Sequence, residues 1–97
     1  MEKFSISKFD DFFKAVLSLE SVDECRKFFE DVCTIKEIQD VSQRLEVAFL
    51  LSQGKNYNEI MKLTGASTAT ISRVNKCLNY GKGGYGLVIK RKEQSND

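Results

Sequence analysis

The stretch that decides the fold is residues 57–80, which read YNEIMKLTGASTATISRVNKCLNY. Two short amphipathic runs lie on either side of Gly65. Asn56 precedes the first run with Glu59 three positions later, and Ser67 precedes the second, so each run begins with a typical N-cap. Gly65 suits the left-handed position after a helix end. Two helices joined by a short turn containing Gly predict a helix-turn-helix at about residues 57–80.

The outer face of the second helix carries small polar side chains and cations. The apolar positions of this helix are Ile71, Val74 and Leu78. On the opposite side lie Thr68, Ser72, Asn75, Asn79 and Lys76, with Arg73 on the flank. A plain surface helix of a small bundle, which is the alternative, more often carries Glu and Lys, because they form helices better. Short hydroxyls and amides reach base edges, and cations meet phosphates, so the face favours DNA binding.

The charge of the chain is distributed unevenly. The net charge is only +1, but residues 1–53 carry seven Lys and Arg against eleven Asp and Glu. Residues 54–92 carry eight Lys and Arg against a single acid, Glu59. The basic part coincides with the predicted helix-turn-helix, and DNA binding requires such a distribution.

Length and composition indicate a single domain, residues 1–97. No apolar run approaches the roughly 18 residues of a membrane span, and the N-terminus does not resemble a signal peptide. Three cysteines without any His indicate neither a disulfide framework nor a zinc site, so we expect free, mostly buried thiols in a reducing cytoplasm. Without His, a Ser or Cys nucleophile lacks its usual base. We therefore expect neither an enzyme nor a cofactor.

The other helices are predicted from their caps. Ser7 is the expected N-cap of a first helix. Ser21 and Glu24 have the spacing of a capping box before a second helix, and Thr34 and Glu37 repeat it before a third. The third helix extends to about residue 53 and is the longest, so we expect it to be the scaffold of the helix-turn-helix.

Four aromatic side chains in the first two helices favour a subunit interface. They are Phe12, Phe13, Phe28 and Phe29. A chain this short covers little apolar surface by itself, and four rings are more than one small monomer easily buries. We therefore expect these residues to form part of the core and part of a homodimer interface.

The residues after the second helix of the helix-turn-helix, GKGGYGLV at positions 81–88, match the dinucleotide pattern G-x-G-x-x-G. The match is false, because that motif must follow a strand and open a helix inside a βαβ unit. The segment also matches the glycine-rich loop of protein kinases, but the other motifs of a kinase do not fit in the residues that follow it. We expect a helix stop, a flexible turn, a short segment over residues 85–92 and a disordered tail at residues 93–97.

The residues just described resemble a known family. Residues 65–73, GASTATISR, resemble the reading-head segment of the bacterial trp repressor. Residues 43–54, QRLEVAFLLSQG, resemble its central helix, and Thr34 falls where that helix begins. Residues 78–85, LNYGKGGY, are more similar to the YerC/YecD group of trp repressor-like proteins. The resemblance covers about residues 34–85 and is weaker before them.

The resemblance implies an all-α fold and an intertwined homodimer whose N-terminal helices cross between subunits. It also implies a transcriptional regulator, a repressor, that binds double-stranded operator DNA through the helix at residues 68–80. The resemblance and the polar face of this helix together predict a set of DNA-binding residues: Ser67, Thr68, Ala69, Ser72, Arg73, Asn75, Lys76, Lys62 and Lys82.

The resemblance further implies a pocket for a small-molecule effector. Its candidate residues are Thr34, Arg44, Arg73 and Val74, of which the two arginines match those that flank tryptophan in the repressor. Val74 stands where the repressor has a glycine that leaves room for the indole. Asp31 and Cys33 stand where it has leucines. These three differences change the apolar wall that fits tryptophan in the repressor's pocket, so we expect any effector to be a molecule other than tryptophan.

One alternative function belongs to another class. The basic face also fits a dimeric interaction module that binds an acidic protein. The small polar residues Thr68, Ser72 and Asn75 favour DNA instead, because the energetically dominant residues of protein interfaces are more often Trp, Tyr and Arg.

Overall fold

The computed structural model describes residues 4–95 as a series of helices. A 3₁₀ helix, Ile6–Phe9, precedes α1 (Asp10–Leu17), α2 (Val22–Val32), α3 (Ile35–Ser52), α4 (Tyr57–Thr64), α5 (Thr68–Tyr80) and α6 (Gly84–Ser95). No strand occurs between residues 4 and 95, and the predicted all-α class is confirmed. The chain divides into two compact units, Met1–Ile38 and Gln39–Asp97. The expectation of a single domain therefore stays a prediction.

In the N-terminal unit, α1 contacts α2 through aromatic rings. The ring centroid of Phe12 lies 6.1 Å from that of Phe28 and 6.4 Å from that of Phe29. Within the described part of this unit, residues 4–38, no side chain is fully buried. Phe13 remains 42% exposed and Leu17 remains 83% exposed. This unit therefore leaves much of its apolar surface open to solvent.

The first helix begins differently from the prediction. Ser7 lies inside the 3₁₀ helix, where its Oγ is 2.7 Å from Oγ of Ser5. The α-helix begins only at Asp10, after Phe9, which makes no side-chain capping bond. The prediction of Ser7 as the N-cap is wrong because the chain makes a 3₁₀ turn before it enters the α-helix.

The capping boxes of α2 and α3 differ in completeness. Glu24 N–H donates to Ser21 Oγ at 3.1 Å, as predicted, but the Glu24 carboxylate accepts from the N–H of Glu20, at 2.7 Å. At α3 the box is complete. Thr34 N–H donates to Glu37 Oε1 at 2.8 Å, and Glu37 N–H donates to Thr34 Oγ1 at 3.1 Å. The sequence thus predicted both helix starts, but of the two complete boxes that it predicted, the one at α2 is wrong and only the one at α3 is present.

The C-terminal unit contains the hydrophobic core. The buried side chains among the described residues are Val47 and Ala48 of α3, Ile60 of α4, Ala66 of the following turn, Ile71 and Val74 of α5, and Ile89 of α6. Phe49, Leu50, Leu51, Tyr57, Leu78 and Tyr85 pack against this cluster. Burial of each large aliphatic side chain stabilises the fold by about 1.5–3 kcal/mol. The core therefore joins the helix-turn-helix to the second half of α3 and to α6.

The segment after α5 forms a helix of 12 residues, longer than the short segment over residues 85–92 that we expected. Gly83, at φ 86°, precedes α6, and its carbonyl accepts from the N–H of Leu87 at 3.0 Å. Ile89 enters the core, and Lys92 Nζ lies 5.9 Å from the ring centroid of Phe49 on α3. These contacts hold the helix through Ser95, so the expectation of disorder is wrong for residues 93–95. Residues 96 and 97 of the expected tail lie outside the described residues.

The cysteines are free, as predicted, but more accessible than expected. Cys25 and Cys33 are half-buried, and Cys77 is exposed. Across residues 4–95, no helix is long and apolar enough to cross a membrane. In the same range, no group of three or more His, Cys, Asp and Glu side chains is placed to hold a metal ion.

Candidate nucleic-acid interface

The helix-turn-helix begins with a complete capping box. Asn56 Oδ1 accepts from the N–H of Glu59 at 2.9 Å, and Glu59 Oε1 accepts from the N–H of Asn56 at 3.2 Å. This reciprocal pair satisfies two backbone donors that a helix start leaves free. The predicted role of both residues is confirmed, and the start of α4 is fixed by its own sequence.

The turn between α4 and α5 is fixed by a glycine and a threonine. Gly65 takes the left-handed conformation, at φ 74°, and its N–H donates to the carbonyl of Met61 at 2.9 Å. Thr64 Oγ1 donates to the carbonyl of Ile60 at 2.7 Å and accepts from the N–H of Ala66 at 3.0 Å. One hydroxyl thereby joins the last turn of α4 to the start of the connection.

Ala66 and Ser67 set the start of α5. The Ala66 side chain is only 4% exposed and belongs to the core, so the turn admits a small residue there. Ser67 Oγ accepts from the N–H of Thr70 at 3.2 Å, as its predicted capping role requires. The same hydroxyl donates to Thr70 Oγ1 at 3.2 Å. Ser67, one of the predicted DNA-binding residues, therefore uses its hydroxyl to hold the helix start.

Gln43 ties the helix-turn-helix to the long helix α3. Its Nε2 donates to the carbonyl of Thr64 at 3.1 Å, at the end of α4. The sequence alone gave no role to this residue. The signal was its position one turn before the buried Val47, which places an amide on the inward side of α3.

Most predicted contact residues lie together on the outer side of α5. Thr68, Ala69, Ser72, Arg73 and Lys76 are exposed, and Asn75 is half-buried. The opposite side is closed, because Ile71 and Val74 lie in the core. Lys62 is exposed on α4, and Lys82 is exposed in the connection between α5 and α6. The α5 sequence contains no acidic residue, so its outer side combines small polar groups with positive charge.

An amide pair on this side was not predicted. Asn79 Nδ2 donates to the backbone carbonyl of Asn75 at 3.0 Å and to Asn75 Oδ1 at 3.4 Å. Both residues were predicted on one face of the helix, and only Asn75 was predicted to contact DNA. Their spacing of four residues was the available signal, since such residues are neighbours on a helix surface.

The candidate effector residues have different environments. Val74 is 1% exposed and packed in the core, whereas Arg44 on α3 is half-buried and Arg73 on α5 is exposed. These three belong to the C-terminal unit. Thr34 belongs to the N-terminal unit, where its hydroxyl caps α3.

The whole chain is similar to known proteins. The profile of the Trp repressor protein family matches residues 7–93. The chain belongs to the Trp repressor family. It is 47% identical, over 95 residues, to the uncharacterized protein YerC of Bacillus subtilis (strain 168), with 98% of this chain and 91% of YerC covered.

Solved structures give the same family and fold. A TrpR-like protein from Eubacterium eligens superimposes with a TM-score of 0.87 at 52% identity, and the match covers 92% of each chain. A structure from Staphylococcus aureus, named there as a candidate Trp repressor, gives a TM-score of 0.87 at 45% identity and covers 92% of this chain and 89% of that one. The predicted resemblance is confirmed and extends over the N-terminal helices, where the sequence signal was weaker.

Proposed function

We propose that this Trp repressor family protein is a sequence-specific DNA-binding regulator, a repressor, that binds double-stranded operator DNA as a homodimer through α5. The observation that carries the proposal is the outer side of α5. Its exposed groups include hydroxyls, an amide and cations, the helix has no acid, and its inner side is closed in the core. A helix of this kind presents side chains to base edges in the major groove.

The proposed contact residues divide into two kinds. Lys62, Arg73, Lys76 and Lys82 carry the charges that would meet phosphates, which position a protein on the duplex without reading sequence. Thr68, Ala69, Ser72 and Asn75 are the short side chains that would face base edges. Ser67 lies at the start of the helix, where its hydroxyl is used as the cap.

The helix-turn-helix is organised before any partner binds. The Asn56 capping box, the left-handed Gly65, the Thr64 hydroxyl and the Gln43 amide each fix one part of it. Because these contacts are made within the chain, binding DNA does not require the ordering of this segment. Preorganisation of this kind lowers the entropic cost of binding.

The homodimer is proposed from the N-terminal unit and from the family. Rings and aliphatic side chains of α1 and α2 remain exposed within residues 4–38. A second copy of the chain is the partner that would cover them, as expected for an intertwined dimer. Two copies related by a two-fold axis would read two half-sites, about one helical turn of DNA apart.

We propose that DNA binding does not require tryptophan. Val74 is packed in the core beside α4 and α3 residues, so its methyl groups occupy the place where the repressor keeps a glycine. A close-packed interior adapts poorly to an added ring, and an indole would need that space. The Val74 side chain also helps to hold α5 on the core without a ligand.

The proposal is tested by DNA binding at several salt concentrations. Affinity should fall steeply with salt, because Lys and Arg side chains displace counterions from DNA. Lys76→Ala should weaken binding to all sequences alike and reduce the slope of log K against log salt by about 1. Lys14→Ala, which removes the same charge from α1, is the control and should leave the slope unchanged.

A second pair of variants tests sequence reading. Asn75→Ala should narrow the free-energy gap between preferred and random DNA by about 1–3 kcal/mol. Gln39→Ala removes an exposed amide from α3 and should not change the gap. Equal losses on preferred and random DNA for Asn75→Ala would contradict its reading role. Binding to an acidic protein but not to DNA at low salt would favour the interaction module instead.

A further inference from the structure

The side-chain amide of Asn79 is held against the residue one turn earlier in α5. Its Nδ2 lies 3.0 Å from the backbone oxygen of Asn75 and 3.4 Å from Asn75 Oδ1. A backbone carbonyl only accepts hydrogen bonds, so the group beside it must be the NH₂ of Asn79 rather than its oxygen. The orientation of the Asn79 amide is therefore fixed by chemistry.

The orientation of Asn79 determines which end of the Asn75 amide faces it. The NH₂ group of Asn79 has two hydrogens, and the second one faces the Asn75 side chain. An acceptor is required there, so Oδ1 of Asn75 turns toward Asn79 and its NH₂ turns away. Asn75 is also half-buried, which restricts the space available to its side chain.

We propose that Asn79 is a positioning residue that orients the amide of Asn75 so that its NH₂ donor faces the DNA. This inference rests on the proposed function. In the major groove, the acceptors available to such a donor are N7 of purines, O6 of guanine and O4 of thymine. The Asn75 side chain then enters the groove already oriented, and Asn79 contributes to specificity without itself touching a base.

Asn79→Ala tests the proposal, because alanine favours the helix more than asparagine and keeps the fold. Immobilising one flexible side chain on binding costs about 0.5–1.5 kcal/mol, so the ratio of specific to random affinity should fall about two- to tenfold. Affinity for random DNA and the melting temperature should change little. An unchanged ratio would contradict the proposal.

A double-mutant cycle separates positioning from direct contact. If Asn79 acts through Asn75, Asn79→Ala should have no further effect on the ratio in an Asn75→Ala background. An undiminished effect in that background would show that Asn79 contacts DNA itself and would overturn the inference. Asn79→Ser retains a donor for the Asn75 carbonyl but cannot reach its side chain as the amide does. It should behave like Asn79→Ala, and wild-type specificity in this variant would contradict the side-chain contact.

Nuclear magnetic resonance of the free protein tests the amide pair without DNA. Asn75 should occupy one side-chain rotamer in the wild-type protein and several in Asn79→Ala. Averaged Asn75 rotamers in the wild type would overturn the positioning role even where sequence-specific binding holds. A single rotamer together with no preference for any DNA sequence would instead show that the proposed function, on which the inference rests, has failed.

Discussion

The two units of the chain differ in how they use apolar residues. The C-terminal unit closes its aliphatic side chains into a core, with Val47, Ile60 and Ile71 fully buried. The N-terminal unit contains more rings but, within residues 4–38, buries none of them fully. Burial of apolar surface is the main favourable term in folding, so the two units differ in how far their own residues stabilise them.

The difference indicates a division of roles. Contacts within the C-terminal unit hold α4 and α5 in place, as expected of a segment that reads DNA. The exposed rings of α1 and α2, such as Phe12 and Phe13, suit an interface with a second copy. We therefore expect substitutions in the C-terminal core to act on the stability of each chain, and substitutions of the exposed apolar residues of α1 to act on assembly.

The largest effect is expected from a charge in α1. Leu17 is 83% exposed in the single chain, and in the proposed dimer it would be covered. Leu17→Lys would remove about 1.5–3 kcal/mol of apolar burial from each subunit, so about 3–6 kcal/mol from the dimer. Sedimentation equilibrium at micromolar concentration should give about twice the chain mass of 11.0 kDa for the wild type and a lighter species for the variant.

Leu63→Lys is the control for this experiment. Leu63 is also exposed, but it lies on α4 in the C-terminal unit. We expect this variant to sediment like the wild type. A monomeric wild-type protein across the micromolar range would contradict the dimer, and weaker assembly of Leu63→Lys alone would place the interface in the other unit.

A cavity in the core should have the next largest effect. Ile71→Ala removes a fully buried side chain from α5 and should lower the free energy of unfolding by about 2–5 kcal/mol. Urea denaturation measures this loss, and Leu63→Ala on the exposed side of α4 should change it by less than about 0.5 kcal/mol. Similar losses for both variants would mean that the C-terminal core is not the source of stability.

A smaller effect is expected at the turn of the helix-turn-helix. Gly65 has φ 74°, which an L-residue adopts at a cost, so Gly65→Ala should destabilise the protein by about 1–2 kcal/mol. Gly86 lies inside α6 with open space where a Cβ would be, so Gly86→Ala should stabilise the helix by about 0.5–1 kcal/mol. Thermal melting should therefore show a lower melting temperature for Gly65→Ala and a higher one for Gly86→Ala. A stable Gly65→Ala would show that the turn does not depend on the left-handed residue.

The smallest expected effect is that of L-tryptophan. Because Val74 belongs to the core, we expect no change in melting temperature or in DNA affinity up to millimolar concentrations of this amino acid. Calorimetric titration provides the measurement, and Val74→Gly is the informative variant, since it restores the glycine of the repressor. Saturable heat at one site per subunit of the wild type, with tighter DNA binding, would contradict the expectation.

The sequence predicted those parts of the fold that depend on local contacts. The α4 box of Asn56 and Glu59, the left-handed Gly65 and the Ser67 cap each involve residues within a few positions, and all are present. The start of α6 was missed, because its glycines indicated flexibility, whereas burial of Ile89 against distant residues holds the helix.

The candidate site was also predicted only in part. The exposed side of α5 followed from the helical period, because its buried residues Ile71 and Val74 were evident in the sequence. The Gln43 bond to the end of α4 and the Asn79 bond to Asn75 depend on where side chains end in three dimensions. A single sequence indicates which face such residues share but not the partners that their amides find.

Enrichment of bound sequences from random double-stranded DNA, without any added amino acid, tests the central claim most directly. We predict one preferred sequence with two related half-sites, in inverted orientation and about one helical turn apart, because a symmetric dimer presents two copies of α5. We also predict that Asn75→Ala reduces the preference while Gln39→Ala retains it. Recovery of unselected sequences after repeated rounds at low salt, or of a site that Asn75→Ala enriches equally well, would contradict sequence reading by α5.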